Sequence, residues 1–108
     1  MDTITTAAER WLASRYARGE IAARTRSNYA EHLTRFAGHV GPHRPLASIT
    51  TTDVEAWLAS LDVAPSTRNT MAASVRAMFG DLLARGVVPL DPTAPIRQAK
   101  VPKRPPRR

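Results

Sequence analysis

The chain has 108 residues, 43% of them hydrophobic, which is one domain's worth with a modest core. It has no cysteine, no apolar run approaching a membrane span and no signal-peptide start, which excludes a disulfide framework or thiolate zinc site and leads us to expect a cytoplasmic protein. Its net charge of +7 is unevenly held: residues 1–96 carry ten arginines against nine acids, whereas residues 97–108 carry six basic residues and no acid, so a high overall charge does not by itself make the folded part a nucleic-acid binder.

Residues 3–18 are predicted to form the first helix. Ile4, Ala8, Trp11, Leu12 and Arg15 fit a helical period, with Ala7 filling in. Thr3 or Thr5 is the expected N-cap, and Gly19 stands where a glycine commonly ends a helix. Trp11 lies on the apolar stripe and is expected to anchor the core. The second helix is predicted over 25–40 from Tyr29, Leu33, Phe36, Ala37 and Val40, with Thr25 as its N-cap and Gly41-Pro42 as its end. Its opening run, Arg24, Thr25, Arg26, Ser27 and Asn28, is wholly polar.

Residues 41–50 read as a loop from which Leu46 and Ile49 tuck under the bundle. Val54, Trp57, Leu58 and Leu61 then give a short third helix, capped by Thr51 or Thr52, with Asp53 and Glu55 in its first turn. That acidic start would repel phosphate and excludes the third helix from a DNA surface. The fourth helix is predicted over 66–85, with Pro65 at or just before its start, Ser66 as its cap and Gly86 as its stop. Met71, Val75, Met78, Phe79, Leu82 and Leu83 form its apolar stripe. The exit, VVPLDPTAPI, is broken by prolines, with Asp91-Pro92 as a turn signal. The basic, proline-rich stretch 97–108 is expected to be an extended, mobile tail.

Four single-sided amphipathic helices with short links predict an all-α fold, a small four-helix bundle. The second and fourth helices both open on hydroxyls and arginines. If these starts share one side, Thr25, Arg26, Ser27, Thr67, Arg68 and Thr70, with Arg76 beside them, make a surface suited to phosphates and base edges in a major groove.

The succession of motifs resembles the core-binding domain of tyrosine recombinases, the phage-integrase family. TRSNYAEHLTRF is similar to that domain's T-x-x-x-Y-x-x-x-L-x-x-F segment, ITTTDVEAWL to its next helix, and STRNTMAASVRAMF to the helix that follows. The exit GVVPLDPTAPI resembles G-x-i-x-x-N-P-x-x-x-i with Asp91 in place of the usual Asn, and KVPKRPPRR resembles the linker to a catalytic domain. The resemblance implies a SAM-like orthogonal bundle over 1–96, a linker or tail over 97–108, and a grip on one face of double-stranded DNA through the second and fourth helices. By position it implies DNA contacts from Thr25, Arg26, Ser27, Asn28, Ser66, Thr67, Arg68, Thr70 and Arg76, with Arg24, Arg35 and Asn69 as neighbours. It implies as partners a recombinase catalytic domain, in cis or in trans, and further protomers on the DNA, in a bacterial, nucleoid-associated setting. No cofactor, metal or membrane is implied, and no catalytic residue, because the family's chemistry belongs to the other domain.

His32-Leu33-Thr34-Arg35 has the H-x-x-R form of that chemistry, with Tyr29 one turn before it. It lies inside the second helix, though, and is read as a solvated face with Tyr29 half in the core. His39 and His43 are separated by the helix breakers Gly41 and Pro42 and lack an acid or cysteine to complete a metal site. Two other functions fit a helical bundle: a standalone DNA-binding regulator, and a protein-interaction module. The first needs a dimer interface, for which no apolar stripe is left over. The second gives no reason to gather Thr, Ser and Arg at two helix starts.

Overall fold

Thr3 opens the first helix of the computed structural model, which describes residues 2–96. The Thr3 hydroxyl accepts the Thr6 N–H at 3.2 Å, and helix α1 runs Ile4–Ala17. It closes with the Gly19 N–H donating to the Tyr16 carbonyl and the Glu20 N–H to the Arg15 carbonyl, both at 3.0 Å. That closure needs a left-handed residue, and Gly19 supplies a φ of +73°. The fourth helix ends in the same way at Gly86, also at +73°.

Helix α2 spans Ala23–Val40, α3 Thr51–Ser60 and α4 Pro65–Ala84, with one 3-10 turn, Leu46–Ser48, between α2 and α3. The described residues therefore form a small all-α bundle. Its pairing outside helices is slight: an isolated bridge joins Thr3 to Pro45, with the Ile4 N–H on the Arg44 carbonyl and the Leu46 N–H on the Asp2 carbonyl, both at 2.9 Å. Leu46 and Ile49 are buried beneath the helices, as the loop pattern predicts.

Phe36 of α2, fully buried, is the hub of the core. It meets Trp57 of α3 and Phe79 of α4 edge to face, with ring centroids 5.1 and 6.4 Å apart. Trp11 of α1 is 4% exposed, stacks on Tyr29 at 5.7 Å and donates its Nε1–H to Asp81 Oδ2 at 2.9 Å. One side chain thus ties α1 to both α2 and α4. Each such large apolar side chain contributes roughly 1.5–3 kcal/mol on burial. Leu83 departs from the predicted stripe and is 42% exposed, because the core face of α4 is already filled by Met78, Phe79 and Leu82.

Three predicted caps move. Helix α2 starts at Ala23 with Ala22 as N-cap, so Thr25 is its third residue. The alanines ahead of Thr25 favour helix strongly enough to extend it past the preferred capping residue. Helix α4 starts at Pro65, whose ring presets the first helical φ, so Ser66 is its second residue and Ala64 its N-cap. Helix α3 is capped by Thr50, whose hydroxyl accepts the Asp53 N–H while the Asp53 carboxylate accepts the Thr50 N–H.

Beyond Gly86 the exit folds back on the bundle. Val88 and Thr93 are buried, Asp91 accepts the Thr93 N–H at 2.8 Å, and Thr51 donates its hydroxyl proton to the Pro92 carbonyl at 2.8 Å. The turn signal at Asp91-Pro92 is realised. The basic tail expected over 97–108 lies outside the described residues.

Candidate nucleic-acid interface

The four helices divide into two kinds at their N-termini. Those of α1 and α3 are closed by threonine side chains, and α3 adds Asp53. Those of α2 and α4 have alanine at the cap, no side-chain cap bond and no acid in the first turn. Their first helical bonds run from the Arg26 N–H to the Ala22 carbonyl at 2.9 Å and from the Arg68 N–H to the Ala64 carbonyl at 3.0 Å. The amides of Ala23, Arg24 and Thr25, and of Ser66 and Thr67, therefore stand outside the helical ladder. Together with the positive end of the helix dipole they form two anion-favouring termini.

The polar residues behind these termini fall on two matching stripes. Thr25, Asn28 and His32 are spaced i, i+3, i+7 on α2, and Thr67, Thr70 and Ser74 have the same spacing on α4. The far ends of the stripes meet: His32 Nδ1 lies 2.7 Å from Ser74 Oγ. Thr25 and Thr67 are thus each two helical turns, about 10 Å of axis, from a shared contact. Of the nine residues predicted for the site, Arg26, Ser27, Asn28, Ser66, Thr67 and Thr70 are exposed, while Thr25, Arg68 and Arg76 are half-buried. Thr70 returns its hydroxyl proton to the Ser66 carbonyl at 3.0 Å.

The arginines differ in what already holds them. The Arg26 guanidinium lies 4.7 Å from the centre of the Tyr16 ring, a cation–π contact on an exposed side chain. Arg68 donates to the Leu61 carbonyl at 3.3 Å, and its buried Nε has no hydrogen-bond partner among the described residues. Arg76 donates to the Ile96 carbonyl at 2.8 Å, fastening the exit segment to α4. Part of each of these last two guanidiniums is committed to the protein's own backbone. Arg35 pairs with Glu31 at 3.3 Å on an exposed face.

The H-x-x-R tetrapeptide lies inside α2, as the helical pattern predicts, but it is not simply a solvated face. His32 is half-buried against Ser74, Arg35 is turned to Glu31, and Tyr29 is stacked on Trp11. The acidic start of α3 also needs correction. Asp53 accepts two hydrogen bonds from Arg44, at 2.9 and 3.0 Å. This pair, opposed by partial burial and aided by Thr50, holds the carboxyl down at about 2. Its charge is largely answered within the protein, and Glu55 is the exposed acid there. Among the described residues no three His, Cys, Asp or Glu side chains gather as a metal site would require, and no helix is long and apolar enough to cross a membrane.

Periodicity and motif gave no part to Tyr16 or Ser74, and set His32 on a solvated face. Ser74 carried a signal: it sits i+3 from Met71 and i−4 from Met78, a polar residue on an apolar stripe. Nothing in the spacing marks the contact of His32 with Ser74 or of Tyr16 with Arg26, because each joins different helices.

A family model described as "Phage integrase, N-terminal SAM-like domain" matches residues 9–87. Among solved structures, the integrase from mycobacterium phage Brujita superposes with a TM-score of 0.80 at 25% identity, over 95% of this chain and 35% of that one. The chain thus spans about a third of that integrase's length. A comparison with curated proteins gives no match.

Proposed function

Since the chain belongs to the phage integrase N-terminal SAM-like domain family, we propose that it is the DNA-gripping domain of a tyrosine site-specific recombinase. In this reading α2 and α4 enter the major groove at the recombination site. The free amides at their starts take phosphates, and Thr25, Arg26, Ser27, Asn28, Ser66, Thr67 and Thr70 face backbone and base edges. Arg68 and Arg76 contribute through the N–H groups not used on Leu61 and Ile96. Residues 2–96 bind and do not cut. Strand exchange is left to a recombinase catalytic domain, in cis or in trans, and to further protomers on the same DNA, in a bacterial nucleoid setting.

The observation that carries this reading is the pairing of two uncapped, acid-free helix starts with two polar stripes that converge at His32 and Ser74. A protein-interaction bundle has no use for such anion-favouring ends.

The test is binding of the chain to duplex DNA across a salt series. Log affinity should fall linearly with log salt, by about 0.9 per phosphate neutralised, from a weak starting value because one domain grips one face. Absence of binding at low salt, or binding indifferent to salt, defeats the proposal.

A further inference from the structure

Ser74 is a polar residue in the core, 1% exposed, where alanine would fill nearly the same space. Its hydroxyl lies 2.7 Å from His32 Nδ1 and 3.5 Å from the Thr70 carbonyl. Whichever group donates, the His32–Ser74 bond can persist: Ser74 gives its proton to Nδ1, or receives one from it and turns its own toward Thr70. Without His32 the hydroxyl would keep only the long approach to Thr70, a poorly satisfied buried donor.

Around this bond the helices meet through apolar groups such as Phe36 and Phe79. Apolar packing rewards burial with little regard to direction, so it tolerates small rotations of one helix on another. A hydrogen bond is directional and fixes the two backbones at one point. The point is not arbitrary, because it is where the Thr25–Asn28 and Thr67–Thr70 stripes end. A rotation of about 10° about it would carry a group two turns away by about 2 Å. That is more than a hydrogen bond to a base edge allows.

We propose that His32 and Ser74 are positioning residues that set the angle between α2 and α4, and thereby the sequence discrimination of the DNA-facing stripes. The inference rests on the DNA-binding reading above. Phosphate contacts tolerate small displacements and would survive removal of the tie, whereas base readout would not.

The experiment uses the full chain and three variants: Ser74→Ala, His32→Leu and His32→Asn, the last placing an amide group near the position of Nδ1. Duplexes enriched from a random pool by the unaltered chain are compared with scrambled duplexes for affinity, salt slope and, separately, melting temperature of the protein. Ser74→Ala and His32→Leu should each lower discrimination by about tenfold, the order of what a single side chain reading one base supplies. Affinity for scrambled duplex and the salt slope should remain unchanged, and His32→Asn should restore most of the discrimination. Unchanged discrimination in both Ser74→Ala and His32→Leu overturns the inference while leaving DNA binding intact. So does a pool that is bound with normal salt dependence yet yields no enriched sequence. Discrimination that merely tracks melting temperature across all three variants makes the tie structural only and overturns it as well. Failure of the unaltered chain to bind DNA in a salt-dependent way removes the DNA reading itself, and this inference with it.

Discussion

The Arg44–Asp53 pair shows how one residue can mislead and then inform. Read alone, Asp53 is an acid at a helix start that keeps phosphate away from α3. In place, it caps α3 through Thr50 and holds Arg44 across the loop that leads into the helix. Its carboxyl is lowered from 3.8 to about 2, with Arg44 the main cause. A depressed folded value means the contribution is complete above the unfolded value and fades as pH falls through the folded one. The side chain is 24% exposed, so the contribution is discounted to about 1–2 kcal/mol. Thermal melts should find Asp53→Asn less stable than the parent at pH 6, with the gap closing between about pH 4 and pH 2. A gap that stays constant over that range would mean the loss comes from packing and not from the ionised pair.

At the scale of elements, the contrast between capped and uncapped helices yields a prediction with opposite signs. Ala22 and Ala64 both have the extended φ and ψ of an N-cap, −76° and 161° for the first and −62° and 152° for the second. Aspartate at either position would accept first-turn amides and favour the helix dipole, adding about 0.5–2 kcal/mol. In a domain of this size each kcal/mol raises the melting temperature by roughly 4–8 °C. The same carboxylate would occupy the amides proposed for phosphate and repel the phosphate itself. Ala22→Asp and Ala64→Asp should therefore melt higher and bind DNA more weakly, with a salt slope smaller by about one each. A more stable variant with unaltered affinity would place the helix starts away from DNA. These starts also mark where sequence reading stopped. The apolar stripes of all four helices were legible from spacing apart from Leu83, whose exposure depends on how the core face of α4 is filled. The caps of α2 and α4 were not, because Thr25 and Ser66 are the better capping residues by type and lost to helix extension through Ala23 and to the fixed φ of Pro65. Links such as His32–Ser74 and Arg76–Ile96 join residues 42 and 20 positions apart and depend on how the helices cross. Only Ser74, polar on an apolar stripe, announced itself.

For the whole molecule the issue is where the charge sits. Residues 1–96 carry ten arginines and nine acids, so any affinity of the folded part must come from local placement. Several arginines there are answered internally: Arg10 by Asp2, Arg18 by Glu20, Arg44 by Asp53 and Arg85 by Asp81. The six basic residues of 97–108 face no acid within their own stretch. Two kinds of binding should then be separable in one chain. A protein ending at Ile96 should lose much of its affinity for any duplex, with a salt slope smaller by up to about five, the value for six phosphates at 0.9 each. Its preference for an enriched duplex over a scrambled one should be kept, because the groups proposed to read bases all lie on α2 and α4. Titrations of both lengths against both duplexes over a salt series make the measurement. An unchanged slope would show that the tail does not lie on the DNA. A lost preference would move sequence reading from the two helices into residues 97–108, since the helices would then be supplying only grip.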